Sequence, residues 1–172
     1  LVRSYLYRFY AYPRLREKAM KLPDPWPDRL HFIIPTYHEK EWVTREMLLA
    51  VTREAASIPS IVELYVTTGG PDEDDVVRKA LAECPHNDRL TVYLMRQSGK
   101  RSGMAYALRA VARNNPLQTN SAVVLMDGDT LMGRGILRRC LPFFKLLPAM
   151  GGLTVNSVAL TRGPDWYRRW YS

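Results

Sequence analysis

A chain of 172 residues with 47% hydrophobic content can bury one sizeable core and falls within the usual range of a single domain. Its two cysteines, Cys84 and Cys140, lie far apart and fit neither a disulfide framework nor paired zinc ligands, so a reducing compartment suits it best. The net charge of +8 is uneven: residues 1–21 hold six Lys/Arg against Glu17 alone and residues 130–172 hold seven against Asp165 alone, while the middle is slightly acidic.

Residues 1–21 place Val2, Tyr5, Leu6, Phe9 and Tyr10 near helical spacing among arginines, which predicts an amphipathic basic and aromatic flank. "LPDPWPD" (22–28) follows, and its three prolines forbid regular structure and mark a linker. Apolar, largely β-branched or aromatic runs then appear at 30–34, 61–68, 90–95, 122–126 and 152–160, the strand type expected when both faces are buried. Between them lie helix-like stretches. Residues 40–57 carry Trp42, Val43, Met47 and Val51 on one face; 72–83 opens with acids; 102–113 carries Met104, Leu108 and Val111; 133–147 is the last. Strand alternating with helix predicts an α/β domain over 29–160, with crossovers and a mostly parallel sheet.

The chain closes on "DWYRRWYS", so 161–172 reads as a basic and aromatic interface segment. Arginine mixed with Trp and Tyr at both ends suits a lipid headgroup layer, where rings keep one edge wet and cations meet anionic lipid. No run approaches the roughly 20 apolar residues that span a bilayer. The chain begins at Leu1 without a signal-peptide pattern, and reads as a domain cut from a membrane protein whose positive flanks mark the cytoplasmic side. Solvated amphipathic ends are the plainer alternative. Nucleic acid is not an expected partner, because the central domain is acidic and no binding motif appears.

In open α/β sheets, ligands bind beyond the carboxyl ends of the strands. Every chemically unusual segment here directly follows a strand: "PTYHEKE" (35–41), "TTGGPDEDD" (67–75), "RQSGKRSG" (96–103) and "DGDT" (127–130). Together they offer a proline and a tyrosine that can wall a base, glycines and cations for phosphates, and a D-x-D that can hold a hard divalent ion at a turn. Each has a plainer reading. D-G-D alone is a common turn. "SGKRSG" is no Walker A loop, because Leu94 stands where its first glycine belongs and Arg101 follows Lys100. His31, His38 and His86 show no metal-ligand spacing and read as structural or surface residues.

The order "FIIPTYHEKE", "GKRSGMAYALRA", "VVLMDGDT", "GGLTVN" resembles the nucleotide-sugar-binding half of family 2 glycosyltransferases with the Rossmann-like GT-A fold, in particular membrane-embedded processive polysaccharide synthases. Within that group the wording is most similar to synthases of alginate-type polymers. The resemblance covers residues 30 to about 160. It implies an inverting transferase that moves a sugar from a GDP- or UDP-sugar donor to a growing polysaccharide at the cytoplasmic face of a bacterial inner membrane, beside flanking transmembrane helices. Asp127 and Asp129 would hold Mg²⁺ or Mn²⁺ on the donor's diphosphate and so act in catalysis. Pro35, Thr36, Tyr37 and Glu39 would border the nucleotide, and Lys100, Arg101 and Gly103 would line the donor pocket. Where relatives usually carry an acidic "DDGS"-like turn for the base, this chain has Thr67-Thr68-Gly69-Gly70, leaving Asp72 as the nearest carboxylate. The family's catalytic base comes later than the D-x-D, and after Asp129 this sequence offers only Asp165 as a carboxylate, so the base is expected beyond Ser172.

Two other classes stay open. A nucleotide-sugar-binding module without catalysis would show no turnover with a short acceptor. A phosphoacceptor receiver needs an acidic pair after its first strand, where this chain has Glu39 and Glu41 beyond a proline.

Overall fold

The computed structural model describes residues 7–84, 88–114 and 120–155; His86, the second half of the 152–160 run, Asp165 and the rest of 161–172 lie outside them, as do Val2, Tyr5 and Leu6. A helical turn (Tyr7–Ala11) leads into α1 (Tyr12–Met20), followed by β1 (Arg29–Pro35), α2 (Glu41–Ala56), β2 (Ile61–Thr68), α3 (Pro71–Ala82), β3 (Leu90–Arg96), α4 (Lys100–Asn114), β4 (Ser121–Leu125), α5 (Ile136–Cys140) and α6 (Pro142–Leu146). The strands form one all-parallel sheet in the order β3-β2-β1-β4. The architecture is α/β and Rossmann-like, as the alternation of strands and helices predicts.

The order fixes where the helices go. From β1 the chain moves outward through β2 to β3, then returns to the other side of β1 for β4. Right-handed crossovers in opposite directions put their helices on opposite faces. Leu30, Phe32, Ile34, Val62, Leu64 and Val66 accordingly share the main core with Met47, Leu48 and Val51 of α2, Val77 and Ala80 of α3, and Leu137 and Leu141. On the other face Ile33 and Tyr65 pack against Ala107 and Val111 of α4.

Several expectations change. Trp42 of α2 and Leu108 of α4 are exposed, and the buried stripes run through Thr44, Met47, Leu48 and Val51, and through Gly103, Ala107 and Val111. Val111 and Met104 do pack toward the sheet as expected, but close approach of α4 also selects small residues there, and Leu108 points away. The 133–147 stretch is two short helices, because Pro142 lacks an amide hydrogen and starts a new one. Residues 151–155 form no regular structure. The two edge strands are not buried on both faces: β3 has no fully buried residue, and β4, beyond the cover of α4, leaves Val123 44% and Leu125 54% exposed.

The proline-rich 22–28 stretch is irregular but anchored. Trp26 packs against the main core, and Asp28 donates its amide to the Asn120 carbonyl and accepts from the Ile61 amide. Helix α1 docks through Tyr12, whose ring stacks on Phe143 with centroids 6.0 Å apart. Among the described residues no helix is long and apolar enough to cross a membrane.

Beneath α4, toward the amino ends of the strands, Glu63 accepts from Arg29 Nη1 (2.9 Å) and Tyr65 Oη (2.8 Å) and pairs with buried His31 Nδ1 (2.9 Å). His31 is structural, as expected. Burial pushes the Glu63 carboxyl up, but the Tyr65 hydrogen bond, His31 and Arg29 more than offset this and hold it below the ordinary carboxylate range. A carboxylate held charged in the fold stabilises it above its unfolded value of about 4.3, and that contribution is lost as pH falls through the lower folded value. In urea denaturation, the stability gap between wild type and Glu63→Gln should therefore be widest near neutral pH and close below about pH 4. A gap independent of pH would show that the charge of Glu63 does not contribute.

Candidate functional site at the carboxyl edge of the sheet

Because all four strands are parallel, the segments after β1, β2, β3 and β4 emerge on one edge. The strand order reverses between β1 and β4, the place where an open α/β sheet leaves a crevice. Residues 35–39 stand on one side of this point and Asp127–Asp129 on the other.

Gly128 joins the two sides. It is buried, and a Cβ there would lie 2.8 Å from the Pro35 carbonyl oxygen and 3.0 Å from Thr36 Cγ2. The chain thus lies directly on the end of β1, while Asp127 and Asp129 on either side remain exposed. The turn is closed by the Thr130 amide donating to the Asp127 carbonyl at 3.0 Å.

Helix α4 begins at the same edge. Gly99, at φ +158°, takes a backbone conformation that favours glycine and turns the chain into the helix. Its first residue, Lys100, sends its ammonium to Asp127 Oδ1 at 2.8 Å. That hydrogen bond, with the charges of Asp127, Asp129 and Glu39 adding to it, pushes the Lys100 pKa above the usual lysine range and keeps it cationic. The amino end of α4 also lies at this edge, where a helix N-terminus attracts anions. Arg101 is exposed beside them.

Tyr37 forms the floor next to this cluster. Its hydroxyl donates to the Gln97 carbonyl (3.2 Å), and its ring lies 3.3 Å from where a Gly69 Cβ would stand. Gly103 is buried where a side chain would collide with Thr67 Oγ1 and the Tyr37 hydroxyl. Thr67 Oγ1 itself is buried without a hydrogen-bond partner. Thr36 is buried, with its amide and hydroxyl both bonded to the Thr67 carbonyl.

The edge thus gathers Pro35, Thr36, Tyr37, Glu39, Lys100, Gly103, Asp127 and Asp129, with Arg101 at its rim. Asp72 is exposed on the first turn of α3, which also starts at this edge. Its neighbour Glu73 turns inward, accepting from the Gly69 amide (2.6 Å) and the His38 amide (2.8 Å). This contact holds His38 at φ +56°, a costly conformation for a residue other than glycine. The signal for Glu73 was its place three residues after the N-cap Gly70, where an acid reaches back to the preceding amides. Asp74 is buried under the same turn, bonded to Thr68 Oγ1 and Arg96 Nε.

A third acidic residue acts from outside the edge. Buried Glu54 of α2 accepts the amides of Gly135 (2.6 Å) and Leu137 (3.3 Å), anchoring the start of α5. Among the described residues no group of three or more His, Cys, Asp or Glu gathers as a metal site. Burial pushes the Cys140 thiol up, against a thiolate nucleophile.

If Gly128 is required by contact with β1, Gly128→Ala should lower stability by about 1–3 kcal/mol, because the clash is with backbone. Gly133→Ala, where a Cβ meets nothing within 4 Å, is the control and should be near neutral. Equal urea midpoints for both variants would contradict the close packing.

The family described as "Glycosyltransferase like family 2" matches residues 27–172. "Glycosyltransferase alg8" of Pseudomonas syringae pv. tomato is 27% identical over 173 residues, 99% of this chain and 35% of that protein. "Glycosyltransferase alg8" of Azotobacter vinelandii is 28% identical over 161 residues, 87% of this chain and 31% of that protein. The chain spans about a third of the length of these curated relatives. With its parallel sheet and the match over most of its length, the chain belongs to the glycosyltransferase-like family 2.

Proposed function

We propose that this chain is the donor-binding part of a metal-dependent inverting glycosyltransferase that extends a polysaccharide from a nucleotide sugar. The carrying observation is the strand reversal between β1 and β4, which sets Asp127, Asp129 and Lys100 against the end of β1 beside Tyr37. An alginate-type polymer, with GDP-mannuronic acid as donor, is the specific reading; it rests on the "GKRSGMAY" and "DGDT" wording.

The residues fit a divalent cation by donor chemistry. Two carboxylates flank a glycine that no side chain could replace without collision, and a cationic ammonium already sits on one of them. Asp127 and Asp129 would hold Mg²⁺ or Mn²⁺, which supplies neutralisation of the departing diphosphate. Lys100, Arg101 and the N-terminus of α4 would share that neutralisation, set in place before reaction. Pro35, Thr36 and Tyr37 would wall the nucleotide, with Glu39 and Asp72 as the carboxylates beside it.

Purified chain should bind GDP or UDP in the micromolar to millimolar range, and only with Mg²⁺ or Mn²⁺ present. Asp127→Asn and Asp129→Asn should each weaken metal-dependent binding at least about tenfold. Unchanged binding in both variants would remove the D-x-D assignment.

Helix α1 supports a location on the cytoplasmic membrane surface. Tyr7, Phe9 and Tyr10 are exposed before it, among Arg8, Arg14, Arg16 and Lys18. The chain should bind vesicles containing anionic phospholipid more tightly than neutral ones, with the difference reduced by salt and by joint Arg14→Glu and Arg16→Glu substitution. Equal binding to both vesicle types would mean that this flank is simply solvated.

A further inference from the structure

The Lys100–Asp127 pair has a second side. The ammonium lies 2.8 Å from Asp127 Oδ1, and Asp129 and Glu39 also act on it, so a lysine already occupies the place where a cation would be attracted. Mg²⁺ and Mn²⁺ take about six hard ligands. Two exposed carboxylates supply only some of these, and no third acid joins them among the described residues. A bare cation would therefore have to displace the ammonium, repel it, and still draw most of its shell from water.

A nucleoside diphosphate changes each of these terms. Its phosphate oxygens add ligands to the ion, and its negative charge gives the released ammonium a new partner at the N-terminus of α4. The pair is weak enough to be exchanged. Lys100 and Asp127 side chains are 45% and 54% exposed, and an ion pair in such solvent changes an equilibrium constant by at most roughly fivefold.

We propose that Lys100 is an internal counter-ion that holds Asp127 in place of the metal and moves to the diphosphate when the metal–nucleotide complex arrives, making cation binding conditional on nucleotide. The proposal rests on Asp127 and Asp129 being the metal ligands. Lys100 is then more than a phosphate-binding lysine: it also weakens binding of the ion alone. A lysine acting only on phosphate would leave bare-metal affinity unchanged.

The test is Mn²⁺ binding followed by the electron paramagnetic resonance signal of the free ion, measured with Mn²⁺ alone and with Mn²⁺ plus GDP. It compares wild type, Lys100→Met, Lys100→Arg and Asp127→Asn. Wild type should bind Mn²⁺ weakly alone and more tightly with GDP. Lys100→Met should bind Mn²⁺ alone about fivefold more tightly while losing affinity for the GDP complex, so that the effect of nucleotide shrinks. Lys100→Arg, which keeps the charge, should behave like wild type toward Mn²⁺ alone. If Lys100→Met leaves bare-Mn²⁺ binding unchanged, weaker or undetectable while Asp127→Asn abolishes binding of the GDP complex, the counter-ion role is overturned and the ligand assignment stands. If Asp127→Asn changes nothing, the ligand assignment falls and the counter-ion role with it.

Discussion

Strand β1 is hydrogen-bonded to β2 on one side and β4 on the other, and every residue from Leu30 to Pro35 is buried. Since β2 and β3 lie to one side of it and β4 to the other, the crossovers on its two sides travel in opposite directions. Their fixed handedness separates α2 and α3 from α4 across the sheet. It also leaves the carboxyl end of β1 as the one place where helices diverge. The position of the candidate site follows from that single arrangement, before any catalytic residue is considered.

Small residues then let the edge close up. Gly128 brings the D-x-D turn onto the Pro35 carbonyl, and Gly103 brings α4 against Thr67 and Tyr37. These contacts place the Lys100 ammonium and the Asp127 carboxylate within ion-pair distance although the two lie on different elements. Backbone packing thus sets the electrostatics. Away from this edge, the buried carboxylate of Glu54 is satisfied by the first amides of α5 and anchors the start of that helix. Such a group costs stability if its partners are lost, so the start of α5 is held in one geometry.

Much of this was legible in the residues. The apolar runs at 30–34, 61–68, 90–95 and 122–126 are all strands, and the unusual loops do converge on one edge because the sheet is parallel. What sequence could not reveal depends on spatial context. Whether a strand is central or at the edge is not written in its apolar content, so Val123 and Leu125 appeared buried when they are not. On α4, Val111 and Met104 marked the inner face correctly, but Leu108 did not, and the small Gly103 and Ala107 that also pack there carried no apolar signal. Asp72 and Glu73 are adjacent and chemically alike, and only the helix phase decides which turns inward. Glu54 was silent because its partners are backbone amides some eighty residues away.

A metal–nucleotide site at the β1–β4 reversal and the start of α4 remains a proposal that metal and nucleotide binding can test. The most direct measurement is paramagnetic broadening of backbone amide resonances by Mn²⁺ in the presence of GDP, with Mg²⁺ as the diamagnetic reference. A site there requires selective loss of the amide signals of Thr36 to Glu39, Lys100 to Gly103 and Asp127 to Thr130, with Arg29, Ser60 and Leu90 at the opposite edge of the sheet unaffected. Broadening centred on that opposite edge, or spread evenly over the surface, would contradict it.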